Sequence, residues 1–179
     1  MEMMNVTKAA LIQAMEVYFG QDTKRINHAH KVAGYAEKLL KEDGGDYSIV
    51  IAAALLHDIG INVAERKYGS TSGKYQEKEG PPIARQILSK LRFKPDQIEE
   101  VCGIIAHHHS PGKISTHNFK LLYDADWLVN LRGEYDIQDK SKLSSIINRL
   151  FLTNSGKMLA KGIYLSEPSH RTGHESRQK

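Results

Sequence analysis

Apolar residues recur along most of this chain at three- and four-residue steps, the period of a helix with one buried face. Val6, Ala9, Ala10, Ala14, Val17 and Tyr18 follow that step and predict a first amphipathic helix that stops near Gly20. A second is expected from Thr23 to about Lys41, capped by Asp22 or Thr23. Its apolar side carries Val32, Tyr35, Ala36, Leu39 and Leu40. After the turn "EDGGD", Asp46 or Ser48 caps a third helix that reaches about His57 or Asp58, with Gly60 at its C-cap. The stretch Ile49 through Leu56 is apolar on every side, which marks a helix buried all round.

The stretch from Asn62 to about Tyr75 has no periodicity, with glycines and hydroxyl residues in "YGSTSGKY", and reads as a loop that closes over a site. Pro81 and Pro82 suit the first turn of a helix running to about Leu91. Pro95 and Asp96 open another, through about His107, and "SPGK" breaks the chain. Further helices are expected around Asn118–Leu131, Lys140–Leu152 and Gly156–Leu165. There is no strand pair, repeat or linker. The expectation is an all-α, single-domain helical bundle of roughly seven or eight helices. Residues 1–21 would be a helix packed on the core, 22–131 the core itself and 132–166 C-terminal helices of the same domain, with 167–179 a disordered tail.

The apolar third helix ends in two polar residues, His57 and Asp58. A carboxylate withdrawn from water without a partner costs several kcal/mol. Other polar residues sit equally oddly. His28 lies on the second helix, where Arg25, His28 and Lys31 share a stripe. Asp124 and Asp126 lie on a helix with Leu121, Leu122 and Ala125. Two residues apart on a helix is about 200° of rotation, so only one of these aspartates can face the histidines. Two histidines and two carboxylates on three helices would all be satisfied by one divalent cation. Mixed imidazole and carboxylate donors suit Mn, Fe, Co, Ni or Zn.

The chain has 179 residues, 40% hydrophobic and 26% charged, which fits one globular domain. Its formal charge of +4 is too small for a dedicated nucleic-acid binder, and the basic tail has no interleaved aromatics. Cys102 is the single cysteine, so no internal disulfide forms. No uninterrupted apolar run reaches a membrane span, and the N-terminus lacks a basic leader, so a cytoplasmic protein is expected. There is no P-loop and no G-x-S-x-G elbow; "GSTSGK" has no strand before it.

The residues "HAHKVA", "LLHDIG" and "DADWL" together resemble the HD superfamily of metal-dependent phosphohydrolases. The pattern is a histidine, an HD doublet and a distant aspartate on a helical core, and it covers roughly residues 22 to 131. The resemblance implies His28, His57, Asp58 and Asp126 as ligands of one divalent transition metal ion, with Asp124 second to Asp126 and His30 facing away. It implies a phosphohydrolase acting on a small phosphorylated substrate, a nucleotide, by metal-activated water. Asp58, Glu77, His107 and His108 would serve catalysis, with Glu77 or one of His107 to His109 orienting water or protonating the leaving group. Gln76 and Glu77 stand where related proteins carry extra site histidines. Arg25, Lys31 and Lys74 would bind substrate phosphate, with Arg85 a weaker candidate. The two-metal, cyclic-dinucleotide branch has a Gly-Tyr-Pro signature where this chain has "SPGKIST", which argues against cyclic-di-GMP hydrolysis and favours one metal over two. The alternative to an enzyme is a non-catalytic module of this type that binds a nucleotide or a partner. No membrane or nucleic-acid partner is expected, a homodimer is possible, and the C-terminal helices would shape the pocket, form a dimer contact or do neither.

Overall fold

The computed structural model describes residues 2–166, with side chains from residue 8 onward. The described residues form nine helices. They are α1 (Glu2–Phe19), α2 (Thr23–Asp43), α3 (Tyr47–Leu56), α4 (Ile61–Tyr68), α5 (Gly73–Lys90), α6 (Pro95–Ile105), α7 (His117–Glu134), α8 (Lys140–Leu150) and α9 (Asn154–Tyr164). No strand occurs among them. The expected tail and the Val6 side chain lie outside the described residues.

Helix α3 is the axis of the bundle. Every residue from Ile49 to Leu56 is buried, and α1, α2, α6 and α7 pack around it. Helix α2 turns Ala29, Val32, Ala33, Ala36 and Leu39 inward, a spacing that keeps them on one face. Asp22 caps α2 by accepting from the Arg25 amide, and Asp46 caps α3 by accepting from the Ile49 amide. Helix α9 is tied down by the Tyr164 hydroxyl, which donates to the Leu128 carbonyl of α7 at 2.6 Å. Tyr47–Tyr68 is apolar and long enough to cross a membrane by length and composition alone, but 72% of its apolar window is buried inside the bundle.

Four local expectations change. The inward face of α1 is Leu11, Met15 and Phe19, while Ala9 and Val17 are exposed. The larger side chains win the core, because burial scales with apolar area. The supposed loop at 62–75 is mostly helical: α4 ends at Gly69, whose φ of +61° is the left-handed cap that glycine supplies cheaply, and α5 begins at Gly73. Pro81 and Pro82 therefore lie inside α5 rather than at its start, where they deprive the Glu77 and Lys78 carbonyls of helical donors.

Gly60 is not a left-handed C-cap; its φ is −80°. A Cβ there would lie 2.5 Å from the Gly80 nitrogen and 2.8 Å from the Gln76 carbonyl. Glycine is needed because α5 crosses directly over the chain that leaves His57 and Asp58. That crossing delivers Gln76 and Glu77 to the end of α3.

Candidate metal centre

His57 is the C-cap of α3 and is 1% exposed. Its Nδ1 lies 2.8 Å from the Ala54 carbonyl oxygen. A carbonyl only accepts, so Nδ1 carries the hydrogen and, in the neutral ring, Nε2 offers a lone pair. That lone pair faces His28 Nε2 at 3.2 Å, Asp58 Oδ2 at 3.4 Å and Asp126 Oδ1 at 3.4 Å. His28 Nε2 lies 3.1 Å from Asp126 Oδ1 and 3.5 Å from Asp58 Oδ2. Helices α2, α3 and α7, packed against one another, thus bring four electron-rich atoms together, with Asp58 and Asp126 each within 3.5 Å of both imidazoles.

Such a cluster demands positive charge. Burial disfavours a protonated His57, but the carboxylates of Asp58 and Asp126 outweigh it and hold the imidazole pKa well above its ordinary value. Burial also pushes the two carboxyls up; the imidazoles around them reverse this and hold both below the usual carboxylate range. A divalent cation meets the same demand with the donor chemistry present, two imidazole nitrogens and two carboxylate oxygens. The carbonyl bond to His57 Nδ1 fixes the tautomer that a metal ligand needs. The ligand atoms of His28, His57 and Asp58 lie within 4.8 Å of one another.

Asp58 also faces a second grouping. Its ligand atoms and those of His108 and His109 lie within 4.8 Å of one another. His108 repeats the His57 arrangement: Nδ1 is 2.7 Å from the Ile105 carbonyl, and Nε2 is 3.6 Å from Asp58 Oδ1. That Nε2 is buried without a hydrogen-bond partner. Helix α6 stops at Ile105, and a turn rather than a helix carries the three histidines, so His108 and His109 lie with ring centroids 3.9 Å apart. Desolvation and the neighbouring His108 push His109 down to a pKa of about 4, so it is neutral at pH 7. Glu77 accepts from the His109 amide at 3.0 Å and the Ser110 hydroxyl at 2.9 Å, which locks the turn.

The cluster opens into a cavity of 450 Å³ lined by Lys24, Arg25, His28, Asp58 and Asp126, among others. Arg25 is where the sequence placed it. Five other candidates are not. Lys31 lines a separate groove with Tyr35 and Arg132, because its stripe on α2 curves away from His28. Lys74 is exposed and sits 4.6 Å above the Tyr75 ring. Glu77 spends both oxygens on the histidine turn, so it positions that turn rather than reaching the cluster. His107 falls outside both groupings, its place taken by His109. Arg85 pairs with Glu99 on the surface.

Asp124 points the other way from Asp126 and accepts from the Leu152 amide, the Thr153 amide and the Thr153 hydroxyl at 2.7–2.9 Å. Its work is to hold the α8–α9 connection. Sequence reasoning missed Lys24, Asn130 and Glu134, which also line the cavity. Asn130 and Glu134 follow Asp126 by one and two helical turns, a spacing that was available to find them. Asn130 donates to Asp126 Oδ1 at 2.8 Å.

The fold and the cluster define an all-α domain with a His/Asp site able to hold a metal. The chain belongs to the HD domain family: residues 25–131 match the model of the HD domain. It is similar in fold to the crystal structure of a predicted HD superfamily hydrolase from an uncultured Thermotogales bacterium, with 24% identity and a TM-score of 0.65. That similarity covers 87% of this chain and 83% of the other. No curated protein matches the sequence.

Proposed function

We propose that this chain is a metal-dependent phosphohydrolase whose cation is held by His28, His57, Asp58 and Asp126. The observation that supports it is the convergence of those four donors, three of which, His28, Asp58 and Asp126, line a cavity that also carries Lys24 and Arg25. A divalent cation there would lower the pKa of water and polarise a phosphoryl oxygen. Lys24 and Arg25 offset the charge on the phosphoryl oxygens. In the reaction, water oxygen bonds to phosphorus, the bond from phosphorus to the ester oxygen breaks, and a proton passes to the departing oxygen. His109 lines the same cavity and orients the entering water. Asp58, with His108 and His109, offers a second cation position. The expected substrate is a nucleotide, and the expected compartment is the cytoplasm.

The test is hydrolysis of a panel of phosphomonoesters and phosphodiesters after loading with Mn, Fe, Co, Ni or Zn. Release of phosphate or alcohol that is abolished by chelation and restored by the metal supports the reading. No turnover of any ester with any of the five metals contradicts it.

A further inference from the structure

The cavity at the metal centre has a second lobe, of 260 Å³. It shares His109, Asp126, Asn130 and Glu134 with the first. The two lobes differ in chemistry. The first holds Lys24 and Arg25; the second holds no lysine or arginine and is walled by Tyr123 and Trp127. Trp127 is the one tryptophan of the chain and directly follows Asp126. Its indole has two tilted aromatic neighbours, Tyr123 with ring centroids 6.4 Å and planes 60° apart and Tyr135 at 5.9 Å and 42°, so neither stacks flat on it. An aromatic held by tilted neighbours that do not cover it face to face is a preorganised stacking surface. Glu134 stands where the lobes meet and makes no ion pair among the described residues.

We infer that Trp127 is a specificity-determining residue, its indole stacking on the base of the nucleotide bound across both lobes. The phosphoryl group lies toward Lys24 and Arg25. The base stacks in the Trp127 lobe, where there is no cation to attract a second phosphate. The sugar hydroxyls fall at the junction and donate to the Glu134 carboxylate, which repels further phosphates. The inference rests on the hydrolase reading and deepens it by naming the residue that selects the nucleoside.

The experiment uses Trp127 as its own reporter. Zinc-loaded protein is titrated with adenosine 5′-monophosphate, with ribose 5-phosphate as the ligand lacking a base. Emission excited at long wavelength is followed, and ribose 5-phosphate affinity is obtained by competition. The expected result is saturable change in Trp127 emission and about tenfold tighter binding of the nucleotide, the contribution of one stacked base. In Trp127→Leu, followed by calorimetry, that ratio collapses toward one, and Trp127→Phe restores most of it. Equal affinity for the two ligands, or a ratio unchanged in Trp127→Leu, overturns the inference. The two readings separate cleanly. Nucleotide-selective binding without turnover of any ester contradicts the hydrolase and supports the lobe. Turnover of all esters without preference for a nucleoside contradicts the lobe and leaves the hydrolase standing.

Discussion

Asp124 and Asp126 are alike in chemistry, neighbours on α7 and opposite in effect. The first is fully buried and satisfies two backbone amides and a hydroxyl of the α8–α9 connection. The second faces two imidazoles. Asp124→Ala should cost about 2–4 kcal/mol, because it strands buried donors, while the folded protein keeps its metal. Asp126→Asn should lose the metal. Urea denaturation and metal analysis on both variants check this, and the reverse pattern would contradict the assignment. His57 and Asp58 were legible in the sequence as polar residues that end an apolar helix, because burial without a partner has a foreseeable cost, whereas the choice of His28 over His30 and of Asp126 over Asp124 came from the resemblance to the family. His109 was not legible in the same way. Whether His107 or His109 accompanies His108 depends on the chain leaving α6 in a turn, and three identical residues in a row carry no mark of where a helix ends.

At the scale of elements, α3 is a rigid arm. Its eight consecutive buried residues fix the position of its end, and its end carries His57 and Asp58. The crossing of α5 over that end depends on the missing side chain of Gly60. Gly60→Ala should destabilise the protein by about 1–3 kcal/mol, since the added methyl meets backbone rather than a flexible side chain. A shift in the urea midpoint without a change in slope is the expected readout. Gly73 plays a related part: a Cβ there would lie 2.8 Å from the His109 ring. Helices α2, α3, α6 and α7 were legible from period and caps. Helix α4 was not, because Ile61 and Ala64 are its only buried residues and the glycine-rich sequence after it reads as turn. The prolines of α5 misled for a similar reason. Proline prefers a first turn, and only the packing of α5 on α4 and α6 keeps a helix running through a pair of them.

At the scale of the whole molecule, the cluster joins three helices that are far apart in sequence, so occupancy of the site is coupled to folding. A ligand that binds only the folded chain adds about 2.7 kcal/mol at a hundredfold excess over Kd. For a domain of this size that is a rise in Tm on the order of 5–10 °C. Chelation should lower Tm by that amount, and readdition of metal should restore it; a scanning calorimeter or circular dichroism at rising temperature measures both. Asp58→Ala should show no such response. The claim on which everything else rests is that His28, His57, Asp58 and Asp126 hold a cation. Its most direct test is the metal content of protein purified without a histidine tag, by inductively coupled plasma mass spectrometry, beside Asp58→Ala. The expected result is at least one transition metal per chain in the wild type and none in the variant. A wild type that stays empty after incubation with Mn, Fe, Co, Ni and Zn would contradict the account.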